Sequence, residues 1–398
     1  MTVANATIQA VNGLTARWAR ESAVGTVFSA PGVWPLLAFL ADGAAGPARA
    51  ELAQALGMPA EQSAAAARDL LASMAEIRGL DSALGLWTKR TLELREEWEA
   101  GLPAEAHGVL TGDLAADGAT LDAWARKRTG GLVERMPLRL RDDTELVLAS
   151  ALALRTKWLS RFRDRPLSPE DGPWQRRTLQ GLHRKSALLD RVGVADTPDG
   201  CVTELKVLGD TGVDVHLLLG EERMTPGQVL TAGIDLLARR HPVVPGPQLP
   251  YGEVGPGLRV EKKRCMRPQP PTLDVTTVAF DMTARHDLLE LHRLFGLTTA
   301  MDTGQGHFPG ISAFPLAVGS AQQATRAAFG DQGFRAGVVT AFGAVAAGGI
   351  PDFRHVTTTI RATFDRPFAF LALHRHSRLV LAAGWVTDPK PFREDDHY

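Results

Sequence analysis

The apolar residues of the chain fall into helical stripes and short alternating runs. Ile8, Val11, Leu14 and Trp18 recur at three- and four-residue intervals, which predicts an amphipathic helix over 8–24. Pro31 and Pro35 flank Trp34 ahead of an apolar run, Leu36 to Leu40, that Asp42 and Gly43 end, so a second, short helix is expected there. Pro47 to Gly57 carries a proline in its first turn, Leu52 and Leu56 on one face and a glycine terminator; an alanine-rich helix follows over 60–78. Ser82 to Trp87 alternates like a strand, and Thr120 to Pro137 predicts a helix interrupted at Gly130 and Gly131. Pro- and Gly-rich stretches at 242–257 and 268–271 read as surface connections, and no internal repeat or low-complexity tract is present.

The stretch around which the chain is organised begins at Ala324. Thr325, Ala327 and Phe329 alternate with their neighbours at the two-residue period of a sheet, and Gly330-Asp331-Gln332-Gly333 breaks the strand with turn chemistry. Phe334 to Ala347 is then a run of small and β-branched residues that ends in Gly348-Gly349-Ile350-Pro351. It has β-propensity but few large side chains to anchor it. Such a segment can be an exposed loop in one state and an added strand in another.

Bulk properties narrow the function classes. A chain of 398 residues, 44% hydrophobic, can bury a substantial core, and length alone suggests two or three domains. A net charge of −1 gives no electrostatic pull toward nucleic acid or an anionic membrane. Cys201 and Cys265, the only two cysteines, are not a disulfide framework. The first residues lack a basic n-region and an apolar core, and no run of about 18 apolar residues could span a bilayer, so a cytoplasmic protein is expected. Richness in Ala, Gly, Arg and Leu with few Lys suggests a bacterial source. Nucleophile-elbow, zinc-protease and phosphate-loop motifs are absent, and no cofactor is expected. His374 and His376 share a strand face but have no further placed ligand, so they read as the polar tip of a hairpin. The basic stretch Arg259 to Arg267 reads as a solvated face.

Several ordered motifs from about Leu14 to Pro389 resemble the serpin family. They are Thr26-Val27-Phe28-Ser29-Ala30-Pro31 before an apolar helix, Leu146 to Ala151 leading to Lys157-Trp158, Phe308-Pro309-Gly310-Ile311-Ser312, and the strand, hinge and small-residue run described above. Phe364 to Leu371 and Leu381 to Pro389 complete the likeness. The resemblance implies a mixed α+β fold. One domain, 1–398, would carry a large central β-sheet, two smaller sheets, surrounding helices, an exposed reactive loop at about 331–356 and a C-terminal strand pair at about 360–389. It implies a monomeric protein that is not an enzyme but bait. A serine protease cleaves the loop, the freed loop inserts into the main sheet, and the protease is trapped as an acyl-enzyme.

Carried over residue by residue, the resemblance makes Asp331, Gly333, Phe334, Arg335 and Ala336 the hinge and Ala347-Gly348 the scissile bond. The small Ala347 suits a protease with a small or apolar specificity pocket. The segment from Gly333 to Pro367 is longer than in typical members, which leaves Phe342 and Arg354 as alternative bait. Ser29, Ser150, Trp158 and Gln323 match the region where the sheet opens. Ser150 and Gln323 stand where inhibitors carry an Asn–His pair, and their side chains can bond each other. Gly32 replaces a family serine. Bulky Phe334 would have to find room in a tightly packed interior, and Arg335 replaces the usual Glu. Two alternatives stay open on these departures: a non-inhibitory binding or chaperone-like serpin, and a serpin scaffold recruited for small-molecule chemistry, with Trp34, Trp87 and histidines lining a pocket.

Overall fold

The computed structural model describes residues 3–22, 24–103, 106–131, 133–136, 140–334 and 355–393. Among them, eight α-helices surround three β-sheets. The first helix, Asn5–Glu21, buries Val11, Leu14 and Trp18 on the expected stripe. The second, Ala30–Gly43, begins earlier than the prolines suggest. Pro31 sits in its first turn, where a missing N–H costs nothing, and Pro35 lies inside it. Every residue of this helix except Asp42 is buried, so packing on all sides outweighs the proline penalty. Helices Gly46–Leu56 and Ala60–Ala75 follow, the former closed by Gly57 at φ +68°, a left-handed cap that glycine adopts without strain.

The helix predicted over 120–137 is instead Leu114–Arg128. Asp113 starts it, its carboxylate accepting from the N–H groups of Ala115 and Ala116 at 3.0 Å each. Gly130 and Gly131, both at positive φ, stop it, and residues 133–136 beyond them form no helix.

The central sheet runs His107–Leu110, Leu80–Lys89, Leu146–Leu154, Ser320–Phe329, with Phe280–Asp287 pairing antiparallel along the far side of the last. Leu146–Leu154 is buried at every position, as expected of a strand covered on both faces. A second sheet pairs Phe368–His374 with Val380–Val386 and, on its other side, with Val213–Gly220, Gly200–Val207 and Val192–Thr197. The third contains Leu258–Cys265, His355–Thr363, Thr272–Val278, Leu179–Ser186 and Arg163–Leu167. The stretch 242–257 is more than a connection: Val244–Pro245 joins the second sheet and Gly252–Gly255 the third. The main apolar cluster draws residues from Val3 through Val386, with Trp18, Trp34, Phe280, Phe329 and Phe368 among its largest members. No helix among the described residues is long and apolar enough to cross a membrane. Cys201 and Cys265 are both free thiols.

One buried ion pair gives the second sheet a pH response. Glu204 is 3% exposed, with Oε1 2.7 Å from His216 Nδ1 and Oε2 3.3 Å from Lys206 Nζ. Burial pushes its carboxyl up, but His216 and Lys206 pull harder, and the result falls from 4.5 to about 2. A carboxyl depressed by folding contributes stability that is complete above pH 4.5 and lost as pH falls toward about 2. Glu204→Gln should therefore flatten the acid limb of stability in that window, measured as urea midpoints against pH.

Candidate functional site

The site lies where the central sheet divides. Lower down, Leu146–Leu154 and Ser320–Phe329 pair directly and in parallel, from Ser320 opposite Val147 to Thr325 opposite Leu152. Continued upward, this register would set Phe329 opposite Thr156. Instead the chain reverses after Phe329, and Gly333–Phe334 runs back between the two strands. Phe334 pairs antiparallel with Phe329 on one side and with Thr156 on the other. The two strands are thus parted at the top by one strand's width, and the hinge occupies the gap.

The turn that delivers the hinge is held through its main-chain carbonyls by donors on the neighbouring shoulder. Trp158 N–H donates to Gln332 O at 2.9 Å, Trp158 Nε1 to Gly330 O at 2.8 Å and Phe162 N–H to Asp331 O at 2.9 Å. The Trp158 ring lies 4.9 Å from that of Phe329. Gly333 is required by contact: a Cβ there would stand 2.2 Å from Thr156 O. Phe334, expected to obstruct insertion, is already 1% exposed, with its ring 5.9 Å from Phe370 in the main apolar cluster. Asp331 contributes through its backbone carbonyl. Arg335, Ala336, Phe342, Ala347, Gly348 and Arg354 lie outside the described residues.

Beneath the parting, the expected Ser150–Gln323 bond does not form. Gln323 turns to Ser29 instead: its Oε1 accepts from Ser29 N–H at 2.8 Å and from Thr325 Oγ1 at 3.0 Å, and its Nε2 donates to Ser29 O at 2.8 Å. Ser29 Oγ donates to Leu381 O at 2.7 Å. Ser150 Oγ is buried with no partner. Gly32 explains the crowding, since a Cβ at that position would meet Ser150 Oγ at 2.6 Å and Gln323 Nε2 at 3.2 Å. The hydroxyl of Ser150 therefore gains nothing from folding. Ser150→Ala should raise stability by about 1 kcal/mol, read from the urea midpoint, because it removes an unpaired buried polar group.

A histidine does stand in this network, one strand over from the position of Gln323. His286 pairs with Gln323 across the sheet, and its Nε2 lies 2.9 Å from Val27 O and 3.2 Å from Thr26 Oγ1. Burial lowers its pKa, opposed by the bond to Val27. Gln323 and His286 together pin residues 26–29, the entry to the second helix. The alternation of Phe280 to Asp287 marks a strand in the sequence, but nothing local says which strand it would adjoin.

The remaining candidates do not converge. Trp34 is wholly buried with its Nε1 on Leu56 O, and Trp87 packs edge-on against Trp124. His374 and His376 meet edge to face at the hairpin tip, ring centroids 5.6 Å apart, with His374 bonded to Ser377. Glu261 pairs with Arg361 inside the basic stretch, and Arg259 with Glu253. A cavity of about 260 Å³ beside Gly32 is lined chiefly by Pro31, Leu71, Met74, Leu84 and Ala106.

Residues 9–171 match the family model described as serpin, serine protease inhibitor. No curated protein matches the chain. Tengpin, a thermophilic serpin in its native state, gives a TM-score of 0.75 at 13% identity, over 98% of this chain and 95% of that one. Human thyroxine-binding globulin complexed with thyroxine gives 0.71 at 16% identity, over 97% and 98%. A serpin from the trematode Schistosoma haematobium gives 0.67 at 15% identity, over 96% and 100%. At these identities the likeness to solved structures is one of fold. The family match over 9–171 and this fold along nearly its whole length make the chain similar to serpins in sequence over its first part and in fold throughout.

Proposed function

We propose that the protein is a serpin-type inhibitor of a serine protease, acting by insertion of its cleaved loop into the central sheet. The observation that carries this reading is the position of Gly333–Phe334, which forms the first rungs of an added strand between Thr156–Lys157 and Ser320–Phe329. Below it, each further inserted residue must replace the direct pairing of Leu146–Leu154 with Ser320–Phe329 by pairing on both sides. One ladder is broken and two are made, so completed insertion releases free energy.

In this reading the protease supplies the chemistry. Its serine attacks the carbonyl of Ala347, the bond to Gly348 breaks, and the acyl-enzyme is carried with the inserting loop before water can release it. Ala347 suits a shallow specificity pocket of the elastase or subtilisin type. The hinge glycine accepts the close approach of Thr156 O, and the buried Phe334 anchors the inserted end. The partner is one serine protease per inhibitor monomer. Digestion with elastase, mapped by mass spectrometry, should cut first at Ala347–Gly348. A stable complex formed only with trypsin and cut after Arg354 would move the bait there.

A further inference from the structure

A cavity of about 710 Å³ opens at the foot of the central sheet. Its floor is the sheet face turned away from Ser29, because side chains alternate along Ser320–Phe329 and Gln323 takes the Ser29 side. Ser320 and Gln322 line the cavity at 3% and 4% exposure. Neither side chain has a hydrogen-bond partner among the described residues, whereas Gln323 and Thr325 on the other face bond to Ser29 and to each other.

Two carboxylates border the same floor. Asp287 stands opposite Gln322; its Oδ1 accepts from Leu289 N–H at 3.0 Å, and its Oδ2 has no partner among the described residues. Glu145, half-buried just ahead of Leu146–Leu154, has no partner there for its carboxylate. Asp143, also on the cavity, is already answered by a fork from Arg141 at 2.9 and 3.0 Å. Leu289, Met301 and Leu316 supply an apolar wall.

The register sets the scale of a ligand. Gln322 lies between Asp287 on one side and Ala149 on the other, and Glu145 is four positions before Ala149. The two carboxylates are thus carried on backbones roughly 13 Å apart along the strands and roughly 10 Å across them. Among the described residues no group of three His, Cys, Asp or Glu is placed to hold a metal ion. Separated carboxylates, with an amide and a hydroxyl on the strand between them and an apolar wall alongside, match ammonium groups spaced along a methylene chain. The chain's net charge of −1 makes this attraction local to the cavity.

We propose that the cavity binds a linear polyamine, whose ammonium groups bridge Asp287 and Glu145 and donate to Gln322 Oε1 and Ser320 Oγ. The site straddles the seam between Leu146–Leu154 and Ser320–Phe329, but binding there does not depend on whether the loop traps a protease.

Calorimetric titration of the full chain with spermine and with putrescine tests this. Melting points in each amine are compared with sodium chloride at equal ionic strength. Spermine is expected to bind and to raise the melting point above the chloride control. Putrescine, too short to reach both carboxylates, should bind at least tenfold more weakly. Glu145→Gln keeps the side-chain shape, and Asp287→Asn also keeps an acceptor for Leu289 N–H; each should weaken spermine at least tenfold. Glu253→Gln removes the same charge on the third sheet and should leave the affinity unchanged. No heat with spermine and no shift beyond chloride would overturn the proposal, as would equal affinity for the two amines. Equal affinities in Glu145→Gln, Asp287→Asn and Glu253→Gln would overturn it too, since they would mean diffuse attraction to surface charge. Either of the two cavity variants suffices for this comparison if the other does not fold.

Discussion

Gln323→Leu should cost about 3–5 kcal/mol of stability, since a lost partner leaves each buried main-chain group unpaired at about 1–3 kcal/mol. Leucine fills a similar volume but answers neither Ser29 N–H nor Ser29 O, both bonded at 2.8 Å in the wild type. The hydroxyl of Thr325 loses its acceptor as well. No water can compensate easily, because Ser29, Gln323 and Thr325 are all fully buried. The loss is read as a lowered urea midpoint at unchanged slope. Ser150→Ala, a few ångströms away, should move the midpoint the other way. A loss under about 1 kcal/mol for Gln323→Leu would mean that the entry to the second helix is held by His286 alone.

The second large effect is at the hinge. Phe334→Asp puts a carboxylate where the wild-type ring is 1% exposed among apolar neighbours. An unpaired ion there costs on the order of several kcal/mol, more than two strand rungs return, so the hinge should leave the gap. Trp158 reports the departure, because its Nε1 is bonded to Gly330 O and its ring rests on Phe329. Its emission should shift to the red and become quenchable, with Trp158→Phe as the background. Phe334→Thr, which fits but fills less, should change the signal only partly. An unaltered Trp158 signal in Phe334→Asp would mean that the hinge is held by the turn bonds rather than by the ring.

Much of the fold was legible because it rests on periodicity. The stripe through Val11, Leu14 and Trp18 and the alternation ending at Phe329 each name an element that the structure contains. The run Leu146 to Ala151, marked by the family resemblance, lies in the buried strand Leu146–Leu154. Boundaries moved where a local rule met tertiary packing: Pro35 did not end a helix buried on every side, and Asp113 began one before its apolar face did. The site was harder to read. That Phe334 would be buried on insertion follows from alternation, but that it already sits between two strands depends on a register set by residues far apart in sequence. Ser150 and Gln323 were matched by position, and position carries no information about rotamers; the missing side chain of Gly32 and the reach to Ser29 decide the bonds. His286 is not legible as a site residue in the sequence, because sheet order, not spacing, brings it beside Gln323.

Loop insertion after cleavage is tested most directly by incubating the protein with elastase, subtilisin, chymotrypsin and trypsin, and following both products. A complex with one of them should survive denaturing electrophoresis, its mass equal to the protease plus the chain up to the bait residue once the C-terminal piece dissociates. The cleaved inhibitor should melt far above the native protein, because the added strand completes the central sheet. Clean cleavage with neither a covalent complex nor a rise in melting temperature would contradict the inhibitory reading and leave a serpin fold put to another use.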